Sequence, residues 1–161
     1  MVKVGKVNLT KEQAKRTTHL PIHQAVYVPS TSGVKTQRKI SKREMDERVR
    51  NVRRYLSNRF GGYTSTKNIG GFVSGGKVVR EKVVRVSTYA SKEDFKKHKP
   101  QVIRKVGFWG RKWKQVSVGY ENEGDFYMIE PGKEKRIKRK ISPTQRKIML
   151  RNLVKARRSK R

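Results

Sequence analysis

The chain has 161 residues, no cysteine, and 43 Lys+Arg against 12 Asp+Glu, a formal net charge of +31. That length suits one domain with extensions. The composition excludes disulfides and thiolate metal sites, no apolar run nears the roughly 18 residues of a membrane span, and "MVKVGKVNLTKEQ" lacks a signal-peptide apolar region.

Charge divides the chain into three: residues 1–40 carry +7, residues 41–132 carry +11, and residues 133–161 carry +13. The middle holds most of the acids and nearly all the aromatics, which marks it as the folded part. The expected organisation is a basic N-terminal extension (1–21), an α+β core domain (22–131) and a basic C-terminal tail (132–161).

In chain order, "LTKEQAKRT" offers Thr10 and Gln13 as a weak capping box for a short helix. "QAVYVPS" is β-rich and ends at a Pro, which predicts a strand at 24–29. In "SKREMDERVRNVRRYLSNRFGG", Ser41 and Glu44 form a capping box. Met45, Val49, Val52 and Leu56 make an apolar stripe, and Gly61-Gly62 stops the helix, which is expected over 42–60. Two β-rich runs, 63–73 and 77–89, flank Gly75-Gly76 as a hairpin. A second helix over 92–114 begins at a Ser91/Asp94 box, with a break or kink expected near Lys99 because Pro100 removes a donor. Phe95, Val102, Val106, Trp109 and Trp113 are its candidate buried positions. "VSVGYE" (116–121) is a last strand, "NEGD" a turn, and "FYMIE" a short returning strand. In the tail, Ser142, Pro143 and Gln145 start an amphipathic helix expected over 143–157. The core order β-α-β-β-α-β is that of a ferredoxin-like split fold, an antiparallel sheet with two helices on one face.

Three Gly-Gly pairs fall between residues 61 and 76. They do not make a nucleotide-phosphate loop: Val78 follows Lys77 where a hydroxyl is required, and a strand follows where a helix is required. They read instead as a helix cap, a bulge or bend at Gly70-Gly71, and a hairpin turn. His19 and His23 have a spacing that could hold a metal on a helix, but Pro21 lies between them, so they read as loop histidines. Glu121, Glu123 and Asp125 read as solvated turn acids that do not converge. No cofactor is expected.

The basic excess points to a polyanion. Neutralised phosphates release counterions, so nucleic acid is the expected partner, RNA ahead of DNA, with no membrane. The expected function is a non-enzymatic nucleic-acid-binding protein, a component of a ribonucleoprotein. The alternatives are a DNA-condensing structural protein of a viral or nucleoid particle and, behind it, a metal-dependent nuclease. The expected location is cytoplasmic or within a nucleoprotein particle, nuclear in a eukaryote. Candidate phosphate contacts on the first core helix are Arg48, Arg50, Arg53, Arg54 and Arg59, since arginine suits forked phosphate contacts. In the last turns of the second helix they are Arg111, Lys112 and Lys114. In the tail they are Lys135, Arg136, Lys138, Arg139, Lys140, Arg146, Lys147, Arg151, Lys155, Arg157 and Arg158. Helix 143–157 could also dock a protein partner.

Overall fold

The computed structural model describes residues 1–33, 38–74 and 76–132. It is a mixed α+β protein with antiparallel sheets and, among the described residues, three helices. The chain opens with a hairpin, β1 (Val2–Val4) and β2 (Val7–Leu9), then a five-residue helix α1 (Lys11–Lys15). Sequence reading missed the hairpin, because three-residue strands carry too little alternation to register. The cap at Thr10 is fully reciprocal: its side chain accepts from Gln13 N, and Gln13 Oε1 accepts from Thr10 N at 2.9 Å.

The core follows. Strand β3 (Ile22–Pro29) leads through the short pair β4 (Thr31–Ser32) and β5 (Arg38–Lys39) into helix α2 (Lys42–Phe60). Strands β6 (Thr64–Ser74) and β7 (Lys77–Ala90) form a long hairpin. Helix α3 (Lys92–Lys112) precedes β8 (Val118–Asn122) and β9 (Asp125–Ile129). The five-stranded sheet has the order β6-β7-β3-β8-β9, antiparallel throughout.

Alternation along the strands sorts side chains to two faces. Val26, Val28, Val86, Val118 and Tyr120 join Val49, Val52, Leu56 and Phe60 of α2 and Val102, Val106 and Trp109 of α3 in one buried cluster. Both helices therefore cover the same face of the sheet. The predicted stripes on both helices are the buried ones, with Met45 and Phe95 half-buried at the margins. Trp109 and Trp113 stack in parallel, with centroids 5.7 Å apart.

Three local features differ from expectation. The capping box at Ser41 is half formed: Ser41 Oγ accepts from Glu44 N, but the Glu44 carboxylate is drawn to Arg48 at 2.7 Å. Helix α3 continues through Pro100, which sits on its exposed side. One lost hydrogen bond there is outweighed by burial of Val102, Val106 and Trp109 downstream. Gly70 and Gly71 form no bulge: the register runs regularly from Ile69↔Lys82 to Phe72↔Val79. Gly76 does turn the hairpin, with φ +75°, and Gly61 caps α2 with φ +82°.

Two glycines have a role that sequence reading did not see. Gly107 and Gly110 lie on α3 one turn apart, where the chain leaving β9 crosses the helix. A Cβ at Gly110 would stand 3.2 Å from Pro131 and 3.4 Å from Val118. Among the described residues no helix is long and apolar enough to cross a membrane.

Candidate functional site

The arginines of α2 divide by position. Arg48 is buried, 3 % exposed. Its guanidinium donates to Pro29 O (3.1 Å) and Thr31 O (2.8 Å), pairs with Glu44, and lies 5.3 Å from the Trp113 ring centroid. It pins the end of β3 to the helix and cannot reach a phosphate. Arg59 lies flat on Tyr55, 3.7 Å from the ring centroid. Tyr55 in turn donates to Gln101 O at 3.0 Å and meets Trp109 edge-on. Among the later candidates, Arg111 donates to Gly132 O at 2.6 Å and Lys112 stands 3.7 Å from Glu47. Lys114 is exposed, with φ +55° at the end of the helical turn. The tail candidates from Lys135 to Arg158, and helix 143–157, lie outside the described residues.

Arg50, Arg53 and Arg54 come together differently. Between α2 and β6 lies a cleft of about 600 Å³. Arg50, Arg53 and Arg54 line one wall, and Tyr63, Ser65, Thr66 and Lys67 line the other. Val49 and Val84 form the floor, and Asp46 is the one carboxylate. Arg53 spans the cleft: it donates to Ser65 Oγ at 2.5 Å and lies 5.3 Å from the Tyr63 ring centroid. Its Nε has no hydrogen-bond partner. Arg50, Arg54 and Lys67 are exposed at the rim. Helix period places the three arginines on one flank of α2 beside its apolar stripe, so packing the stripe onto β7 aims them at β6. Tyr63, Ser65 and Lys67 were missed in the sequence. Their period-2 spacing in "YTSTKNI" was the available signal, but which face of the strand turned toward α2 depended on the register with β7.

The uncovered face of the sheet holds a second polar set. Arg85 donates to both oxygens of Glu121, each at 3.0 Å, and Tyr27 donates to Glu121 at 2.7 Å. His23 Nδ1 stands 3.6 Å from Glu121, and its ring lies against Tyr89 with centroids 4.8 Å apart. The Arg85 hydrogen bonds hold the Glu121 carboxyl below the ordinary glutamate range, against the opposing cost of burial. Burial, then the bond to Glu121, pushes the Tyr27 phenol up. These positions correct two expectations. His23 is a strand residue, not a loop one. Glu121 is a paired strand residue rather than a solvated turn acid. Glu123, with φ +53°, and Asp125 do lie at the hairpin turn, where Glu123 accepts from His23 N. Among the described residues no group of three or more His, Cys, Asp or Glu is placed to hold a metal ion.

No protein family and no curated protein sequence matches the chain. Solved structures that match are phage SAM lyase in complex with S-methyl-5'-thioadenosine, at 18 % identity, and phage SAM lyase in its apo state, at 20 %. Each match covers 68 % of this chain and 88 % of the solved chain, with a TM-score of 0.43. At that distance the likeness carries no substrate or reaction to this chain. These structural neighbours are enzymes, where the expectation was a non-enzymatic nucleic-acid-binding protein; that expectation is withdrawn, and nothing of the neighbours' activity passes to this chain. The arginine positions give a physical reason for its overreach. It counted Arg48 and Arg59 as outward phosphate contacts, and both are engaged within the domain.

Proposed function

We propose that residues 22–129 form a split β-α-β-β-α-β unit whose cleft between α2 and β6 binds a small anionic molecule bearing phosphate or carboxylate groups. The architectural part rests on strand order. Counting β3, β6, β7 and β8 as first to fourth, they lie in the order second, third, first, fourth, with both helices on one face. The functional part is carried by one observation: Arg50, Arg53, Arg54 and Lys67 surround a single cleft against the lone Asp46. The volume, about 600 Å³, lies within the range of small-molecule sites. Arginine forks match the planar oxygens of carboxylates and phosphates, and the hydroxyls of Ser57, Ser65 and Thr66 add neutral donors beside them.

The test is calorimetric titration of the full chain with pyrophosphate and with citrate at physiological salt. The expected result is saturable binding near one ligand per chain, weakened about tenfold per lost forked contact in Arg50→Gln and Arg54→Gln. The control variant Arg104→Gln, an exposed residue of α3, should bind as the parent does. Equal weakening in all three variants would reduce the effect to net charge and overturn the site, as would no saturable binding.

A further inference from the structure

The uncovered face of the five-stranded sheet differs from the rest of this protein in charge. One-sided antiparallel sheets turn polar residues to water, and this chain has Lys and Arg to spare. Yet among the described residues on that face, from β6 across to β9, the basic side chains are Arg85, which Glu121 neutralises, and Lys77 at the tip of the β6–β7 hairpin. The remainder is largely apolar or small. Phe126 and Met128 are 56 % and 60 % exposed, and Tyr89 is 55 % exposed. Phe126 meets Tyr27 edge-on, with centroids 5.3 Å apart. A groove of about 360 Å³ runs between Tyr27, Glu81, Val83, Gly119, Phe126 and Met128. Depletion of charge with enrichment of aromatic residues and Met is the composition of a protein interface core.

The ends of this face carry opposite charge. The pairing of β3 with β7 stops at Pro29↔Val83, while the β6–β7 ladder continues to Ser74↔Lys77. Beyond Glu81, which accepts from Thr31 at 2.5 Å, the hairpin projects as a two-stranded ribbon. Such a ribbon is marginal by itself. It carries Lys77 and Arg80, both exposed. At the opposite end of β3, the β8–β9 turn carries Glu123 and Asp125, also exposed. With Glu121 they place three of the chain's 12 acids within five residues.

We infer that this face is an interface between copies of this chain, with the basic ribbon of one copy reaching the acidic β8–β9 turn of the other. The chain supplies both halves of the charge match, at opposite ends of one apolar surface. At the centre of the face an anionic membrane or nucleic acid would find one guanidinium, already paired with Glu121. The same face of each copy meets the other in antiparallel sense, ribbon to turn at both ends, so the contact is isologous and closes as a two-fold dimer. The acid–base contacts set register and partner choice, and the apolar face holds the copies together. The face lies opposite the α2–β6 cleft, so the inference is independent of the proposed ligand.

The test is the mass of the full chain in sedimentation velocity at physiological salt, where exposed charges more than about 8 Å apart are largely screened. The expected result is a dimer. Phe126→Asp with Met128→Asp should yield monomer with an unchanged far-ultraviolet spectrum. Glu123→Lys with Asp125→Lys should also dissociate it, and adding Lys77→Glu with Arg80→Glu should restore it. Because the chain has no cysteine, Lys77→Cys with Glu123→Cys gives a second readout. The two sites lie at opposite ends of one copy, so oxidation should join chains. A monomer at 100-fold varied concentration overturns the inference. So does an oligomer whose mass survives both the apolar and the charge-reversal variants, or a double-cysteine chain that forms no inter-chain bond.

Discussion

The two faces of the central sheet are built from the same strands and hold together by different physics. The helix-covered face is a layer of valines, Leu56 and two tryptophans, with one buried cation, Arg48, whose terminal nitrogens are held by two backbone carbonyls and Glu44. The uncovered face has a half-buried Tyr27–Glu121–Arg85 set at its centre, with Phe126 and Met128 still in water. Burial supplies stability on the first face, where removing a side chain leaves a hole. On the second, a lost group can be replaced in part by solvent. The contrast teaches that this chain concentrates its folding free energy on one side of the sheet and leaves the other side partly exposed.

The contrast can be broken on the covered face first. Leu56 is fully buried at the centre of α2, so Leu56→Ala should cost about 3–4 kcal/mol in urea unfolding. Arg48→Ala should cost about 2–3 kcal/mol by stranding the carbonyls of Pro29 and Thr31, although the residue would be scored as a surface arginine by composition. An Arg48→Ala variant as stable as the parent would show that water replaces those donors. Gly110→Val should cost about 1–3 kcal/mol, because the added atoms meet Pro131 and Val118.

On the uncovered face the effects should be smaller and depend on pH. The Glu121 carboxyl is held below its ordinary range in the folded state. Its contribution is therefore fully present above the ordinary glutamate value and is lost as pH falls through the folded value. Arg85→Met should make the protein less stable near neutrality, and the gap to the parent should close in acid. A gap that stays constant from pH 7 to pH 3 would mean that Arg85 acts through packing alone. Least of all, Gly70→Ala should be neutral or stabilise by about 0.5 kcal/mol, since a Cβ there finds its nearest neighbour at 3.8 Å in a regular ladder.

Much of the secondary structure was legible because its signals are local. Ser41, Ser91 and the stop at Gly61 bracket the helices, and the 3.6-residue stripes name their buried faces. The Gly75-Gly76 pair marks the hairpin through backbone freedom alone. The sites were less legible. Arg48 and Arg50 are alike in composition and two residues apart, yet one is a buried staple and the other a rim cation. The difference lies in about 200° of helix rotation, two residues at about 100° each, relative to carbonyls that arrive from β3. Lys67 and Glu121 likewise acquire partners or neighbours from strands far away in sequence.

What the sequence determined by itself is the set of properties that need only neighbours along the chain: net charge, helix ends, apolar stripes and the tight turns. What the tertiary structure decided is which basic groups face inward, outward or one another. Ser65 meets Arg53 and Glu121 meets Arg85 only once β6, β7, β3 and β8 adopt their register. A one-residue slip in any of those ladders would turn each side chain to the other face, so the cleft and the paired cluster exist only at the level of the assembled sheet.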